Sequence, residues 1–226
     1  MKISAIIPAF NEEKKIAQTI EALTKLPEID EIIVVDDGSK DDTSGVAQRA
    51  GVHRVITLSK NFGKGEALSR GVKEARGSII CFADADLGSS AGEFRKLIEP
   101  VMAELVDMTV AAWPKSKRRA GFGLVKGIAS FGIMRLTGFS PVSPLSGQRV
   151  LKREVWEKTV LARSGFGVEV GLTVECLKNG YDLLEVPVNM FHRETGRTIA
   201  GFFHRGKQFI QVSRTLMRLW RVKARL

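Results

Sequence analysis

Two carboxylates one residue apart, Asp84 and Asp86, follow the apolar run Ile79–Phe82 in "IICFADADLGSS". Charged groups at the end of a buried strand are costly unless a cation sits with them. In an extended segment residues i and i+2 face the same side, so the spacing predicts two hard oxygen donors side by side. Such a pair suits Mg2+ or Mn2+, which keep open positions for phosphate oxygens. A second acidic pair, Asp36 and Asp37, closes the β-branched run "EIIVV" and precedes Gly38. A carboxylate there accepts from a ribose hydroxyl or a base N–H, although Asp-Gly is also a common turn pair. Lys64, in "NFGKGEALSRG", opens a helix, where an ammonium and the helix N-terminus can meet a nucleotide together. The segment lacks the spacing of a Walker A loop, and no Gly-x-Gly-x-x-Gly follows the first strand. Both absences argue against a P-loop enzyme and a dinucleotide dehydrogenase.

The elements that must position these groups alternate along the first half. "KISAIIPAF" reads as a buried strand, and "NEEKKIAQTIEALTKL" as a helix with Ile16, Ile20 and Leu23 at helical spacing and Asn11 as its N-cap. Strands over "EIIVVDDGS", "HRVITLS", "SIICFAD" and "VDMTVAAW" interleave with helices over "DDTSGVAQRAG", "GKGEALSRGVKEARG" and "SAGEFRKLIEPVMAEL". Gly51 and Gly77 close the first two of those helices. This alternation predicts an α/β fold with a mostly parallel sheet covered on both faces. Ligands bind beyond the carboxyl ends of such strands. Three polar clusters, Pro8–Glu12, Asp36–Ser39 and Asp84–Asp86, fall at such ends and should gather along one rim. The second half reads as an apolar helix over Gly121–Thr137, a strand and short helix in "SPVSPLSGQRVLKREVWEK", a helix in "FGVEVGLTVECLKNG", a strand in "YDLLEVPVNM" and a long basic helix over Gly201–Val222.

The chain has 226 residues, 44% of them hydrophobic, which fits one domain with a sizeable core. No apolar run approaches the ~18 residues of a membrane-spanning helix, and the N-terminus lacks a signal-peptide pattern. Cys81 and Cys176 sit in apolar segments without metal-type spacing, so both read as core residues in a reduced, cytosolic compartment. The net charge is +10 and unevenly spread. Met108–Arg153 holds nine Lys/Arg and no acid, and His192–Leu226 holds nine Lys/Arg against Glu194 alone. The remainder is net acidic. A first half carrying carboxylates thus precedes a basic second half suited to an anionic partner.

The order "PAFNEE", "VVDDGSKDDT", "NFGKGEALSRG", "FADADL" resembles family 2 glycosyltransferases, inverting enzymes of the GT-A fold, over nearly the whole chain. Within that family it is most similar to the dolichyl-phosphate mannose synthase and polyprenyl-phosphate sugar transferase branch. "PLSGQRVLKREVWEK" resembles that branch's Ser-Gly-Phe-Arg segment, with Gln148 in the place of an aromatic. The resemblance implies a single Rossmann-like sheet flanked by helices. Its GT-A domain would span 1–200, with a nucleotide-sugar half over 1–113 and an acceptor half over 114–200. A basic amphipathic helix over 201–226 would extend it. It implies that Pro8, Ala9 and Glu12 line the nucleoside pocket, with Asp36, Asp37 and Lys64 also on the donor. Asp84 would lie near ribose and metal, and Asp86 would be the main ligand of Mg2+ or Mn2+. Some relatives carry a Gln two residues after the second Asp, where this chain has Gly88. His192 is a candidate further ligand, or an ordinary surface histidine.

The implied reaction is transfer of a hexose from GDP-mannose or UDP-glucose. Two acceptors need different chemistry. A polyprenyl (dolichyl or undecaprenyl) phosphate is already an anionic nucleophile near neutral pH, its second pKa lying at about 6. It needs cations to hold it, and the candidates are Lys117, Arg118, Arg119, Arg149 and Arg193, with Ser146 in the Ser-Gly-x-Arg segment. A hydroxyl acceptor such as 3-phosphoglycerate needs a general base. Glu169 is the candidate, or else a carboxylate favoured by its helix N-terminus. "GFFHRGKQFIQVSRTLMRLWRVKARL" mixes aromatic and aliphatic residues with Arg and Lys, the composition of an interfacial helix on an anionic membrane. Packing of that stripe on the domain, or a dimer contact, is the alternative. The expectation is a transferase acting at the cytoplasmic membrane face. The soluble phosphoglycerate enzyme is the first alternative. A basic nucleic-acid-binding module, with steep salt dependence and indifference to Asp86, is a remote one.

Overall fold

The computed structural model of the protein describes residues 1–113, 123–159, 167–190 and 212–220. Seven strands form one sheet: β1 (Ile3–Ala9), β2 (Glu31–Asp36), β3 (Arg54–Thr57), β4 (Ile79–Phe82), β5 (Met108–Ala112), β6 (Arg149–Lys152) and β7 (Leu183–Pro187). Their spatial order is β3-β2-β1-β4-β6-β5-β7. Every paired neighbour is parallel except β6, which runs against both β4 and β5. The mostly parallel sheet anticipated from the alternation is therefore present, with one reversed strand inside it.

The strands read as continuous apolar runs because both faces are covered. Ile3, Ala5 and Ile7 pack on one face against Ile16, Ile20 and Leu23 of α1 (Ile16–Thr24) and Phe94, Leu97 and Ile98 of α4 (Phe94–Met102). Ile6, Ile33, Val35 and Phe82 pack on the other against Leu68 and Val72 of α3 (Lys64–Glu74), Trp156 of α6 (Arg153–Lys158) and Leu172 of α7 (Val168–Lys178). Each fully buried Ile, Leu or Phe contributes roughly 1.5–3 kcal/mol. Gly71 lets α3 lie directly on β1: a Cβ there would come within 2.4 Å of Ile6 Cγ2. Cys81 and Cys176 are buried and free, and burial raises both thiol pKa values, Cys176 to about 12. Both are inert core residues, as expected.

Three local expectations change. Asn11 is not the cap of α1: it adopts φ 57°, its Oδ1 accepts the Lys40 N–H, and α1 begins only at Ile16. The helix expected from Ser90 is split into a 3-10 turn, Gly88–Glu93, followed by α4, which contains Pro100. The helix ending at Gly77 stops at Glu74, where Arg153 takes over: its guanidinium donates to the carbonyls of Val72, Ala75 and Gly77.

A third apolar cluster joins α5 (Gly123–Thr137), α7 and a last helix, α8, at residues 212–220. Val212, Leu216 and Leu219 pack on Val125, Ala129, Ile133, Val170 and Val174. Gly132 makes room for this contact, since a Cβ there would meet Leu216 at 2.5 Å. One stripe of the C-terminal helix is thus spent on packing, the alternative to a wholly interfacial role.

Candidate active site

The parallel register brings the ends of β1 and β2 level, pairing Pro8 with Val35 and Ala9 with Asp36. β4 pairs Phe82 with Ile6, so Asp84 falls beside the same rim. Because β6 is reversed, it starts where β4 ends, with Arg149 opposite Phe82. Reversal is what delivers Gly147 and Gln148 to Asp84.

The centre of the site is a chain of polar contacts. Lys64 Nζ, at the first turn of α3, lies 2.7 Å from Asp84 Oδ1 and 3.1 Å from Glu169 Oε1. Gln148 Nε2 donates to Asp84 Oδ2 at 2.8 Å, and its Oε1 accepts the Asp84 backbone N–H at 3.1 Å. The Lys64 side chain is 19% exposed and that of Glu169 12%. Burial disfavours the ammonium, but Asp84 and Glu169 outweigh it and push the Lys64 pKa above lysine's ordinary value. Lys64 is therefore charged at neutral pH, at a helix N-terminus that itself favours anions. Gly147 permits the arrangement: a Cβ there would lie 2.2 Å from Lys64 Nζ.

Asp86 stands apart from this chain. The strand ends at Phe82 and Ala85–Asp86 form a turn, so the alternation that would set the two carboxylates side by side does not reach them. Asp86 lines an open cleft of about 240 Å³ with Lys15, just before α1, Gln18 of α1, and Ser89 and Ser90. Asp84, expected near the metal, has its two oxygens on Lys64 and Gln148 instead. No group of three His, Cys, Asp or Glu side chains suited to a metal occurs among the described residues. The donor set still fits Mg2+ or Mn2+ as these are held beside nucleotides, by one or two carboxylates with phosphate oxygens completing the shell. Asp86, in the open cleft, would be the carboxylate to hold it.

Other expected site residues make contacts within the fold. Asp36 is buried, with Oδ1 accepting the Ser39 N–H and Oδ2 the Ser44 hydroxyl. Asp37 is buried, and its two oxygens accept the N–H groups of Phe62 and Gly63, each at 2.7 Å. It anchors the loop that presents Lys64. Ala9 is buried and its carbonyl accepts the Asp37 N–H, whereas Pro8 is half-buried. Glu12 is half-buried, its N–H on Thr43 Oγ1.

Arg149 is 1% exposed; Nε donates to the Ser146 carbonyl and Nη1 to Thr173 Oγ1. Burial lowers its pKa to about 10. Ser146 is buried and its hydroxyl accepts from Trp113 Nε1. Both were expected on the acceptor; here their side chains are buried and bonded within the fold. Lys117, Arg118, Arg119, His192 and Arg193 lie outside the described residues.

Gln148 is the main contact that sequence reasoning missed. Its signal is a polar amide where the related segment carries an aromatic, at the head of the strand "RVLK". Lys15 and Gln18 were missed because polar residues on a helix face usually meet only solvent.

Comparison with known proteins places the chain in a family. Residues 4–155 match the model of glycosyl transferase family 2. Dolichyl-phosphate beta-glucosyltransferase of Mus musculus is 30% identical, over 98% of this chain and 78% of its own length. Glucosyl-3-phosphoglycerate synthase of Mycolicibacterium paratuberculosis is 31% identical, over 85% of this chain and 65% of its own. A crystal structure of glucosyl-3-phosphoglycerate synthase from Mycobacterium tuberculosis with Mg2+ and uridine diphosphate superposes with a TM-score of 0.79 at 27% identity, covering 96% of this chain and 79% of that one. The sheet with its rim of charged side chains is that of a GT-A glycosyltransferase. The chain belongs to glycosyl transferase family 2 and is an enzyme of that class.

Proposed function

We propose that the protein transfers a hexosyl group from a uridine-diphosphate sugar to a polyprenyl phosphate, with inversion, at an anionic membrane surface. The uridine donor is supported by the neighbour solved with uridine diphosphate and by the glucosyl names of the relatives. The observation that carries the acceptor is the outer surface of α5 and α8. Phe131, Met134, Met217 and Trp220 are exposed there, Trp220 at 69%, among exposed Lys126, Arg135, Arg214 and Arg218. The opposite sides of the same helices are buried in the third cluster. Apolar side chains among cations, on helices already folded onto the domain, suit a lipid headgroup region. No helix among the described residues is long and apolar enough to cross a membrane.

In this reading the donor diphosphate lies along the rim between the Asp86 cleft and Lys64. A divalent cation at Asp86 would offset charge on the departing diphosphate. Lys64 would give the diphosphate a fixed positive partner, exchanging part of its pairing with Asp84 and Glu169. The phosphate acceptor is already ionised and needs no base, so Glu169 serves to hold Lys64. Arg118, Arg119 and Arg193 are the proposed acceptor contacts, and His192 the proposed further ligand of the cation.

A second reading, transfer to a small phosphorylated hydroxyl acceptor, is favoured by one observation: Glu169 lies at the site with a carboxylate able to act as base. A transfer assay separates the two. Purified protein, Mg2+ or Mn2+ and labelled UDP-glucose are offered undecaprenyl phosphate or 3-phosphoglycerate. Label entering the organic phase supports the lipid reading. Label retained in water, with UDP released only when phosphoglycerate is present, overturns it in favour of the second.

A further inference from the structure

We infer that Gln148 is a positioning residue of the donor site, fixing the carboxylate of Asp84 and through it the ammonium of Lys64. The inference rests on the reading of this rim as a nucleotide-diphosphate site. Gln148 is 1% exposed. A buried primary amide is costly unless both its ends are paired. Here both ends meet the same residue: Nε2 donates to Asp84 Oδ2 and Oε1 accepts the Asp84 N–H. That pairing admits one orientation of the amide. Turned over, its carbonyl would face a carboxylate and its NH2 would face an N–H. Holding both the backbone N–H and one carboxylate oxygen fixes the Asp84 side chain to a single rotamer.

The rest of the arrangement depends on that rotamer. With Oδ2 taken by Gln148, Oδ1 is turned to Lys64 at 2.7 Å. Lys64 in turn reaches Glu169 at 3.1 Å. Four side chains from the start of β6, the end of β4, α3 and α7 are thereby joined in one series. Gln148 is itself anchored, its carbonyl accepting the Ala111 N–H beside β5. It is the only member of the series without a charge, and it does not share the Asp86 cleft. Its role is therefore orientation, with no contact to the reacting atoms.

The test measures binding of UDP with Mn2+ by calorimetry, together with the melting temperature. Gln148→Met keeps the volume and removes both hydrogen bonds. A hydrogen bond to a charged group is worth enough to predict affinity about tenfold weaker, measured well below the melting temperature. Asp84→Asn should weaken binding as well, and Gln148→Met added to Asp84→Asn should cost clearly less than it does alone. Full affinity in Gln148→Met, or strictly additive losses, overturns the inference, whatever happens to the melting temperature. Should Gln148→Met fail to fold, Gln148→Glu keeps the shape and sets a carboxylate against Asp84. It should weaken binding at least as much, and unchanged affinity there overturns the inference equally. Wild-type protein that binds no UDP with Mn2+ would instead overturn the donor-site reading on which this rests.

Discussion

At the scale of single residues, Lys64 concentrates the electrostatics of the rim. Its loss leaves Asp84 and Glu169 facing each other without their shared cation. Lys64→Met should abolish binding of UDP with Mn2+ in calorimetry and lower stability by about 1–3 kcal/mol in denaturant titration. Gly147→Ala tests the same contact from the other side. The new Cβ displaces the flexible end of Lys64 and leaves the backbone in place. It should therefore weaken UDP binding and, because it disturbs the same ion pairs, lower stability no more than Lys64→Met does; unchanged binding would remove Lys64 from the donor site. Which residues were legible follows from how local their roles are. Lys64 was found because a cation beside glycines at a helix start is a local pattern. The internal partners of Asp36 and Asp37 were not legible, because a carboxylate after a strand looks alike whether it meets a ligand or a loop. Only the fold reveals that Phe62 and Gly63 arrive to donate to Asp37. Asp84 and Asp86 were singled out by spacing, but their shared orientation assumed an extended backbone that the turn at Ala85–Asp86 ends.

Elements are held in register by a few polar staples remote from the rim. Arg153 ties α6 to the last turn of α3 through three carbonyls. Arg153→Ala should cost about 2–3 kcal/mol in urea titration, since several acceptors lose one charged donor. Glu31 is a second staple, accepting from the Ser4 hydroxyl and the Arg76 N–H. Burial alone would raise its pKa, but these hydrogen bonds outweigh it and hold the carboxylate below its ordinary value. A depressed folded-state pKa gives stability that is complete above the unfolded value and is lost as pH falls through the folded one. Glu31→Gln should therefore flatten the decline in stability as pH falls below the ordinary carboxylate range, read from denaturation midpoints. The β-branched strands and the helices between them were readable from periodicity. The reversal of β6 was not, because its sequence carries no sign of direction; it is set by which neighbours it joins.

The whole molecule combines an acidic rim with a basic, partly apolar flank. Met217→Ala with Trp220→Ala should reduce co-sedimentation with anionic vesicles and leave the melting temperature unchanged, since both side chains are exposed. Binding should also fall as salt rises, because each surface Lys or Arg contributes only about 1 kcal/mol within a Debye length. Removing α8 altogether would confuse the result by stripping Val212 and Leu219 from the third cluster. The composition of the C-terminal helix showed that it has an apolar stripe and a basic one. It did not show that the stripe divides between core and surface, which depends on where α5 and α7 lie.

The single strand that runs backwards has a consequence for how the chain can vary. Along β6 successive side chains alternate between faces, and the strand is enclosed on both sides by β4 and β5. Gln148, just before the strand, is turned to Asp84, and Arg149, its first residue, to Thr173. Gain or loss of one amino acid within this short stretch would exchange the two. It would thrust a guanidinium at the carboxylate and leave an amide in its former enclosure. Loops elsewhere can lengthen or shorten, but here the length of the chain is itself part of the site.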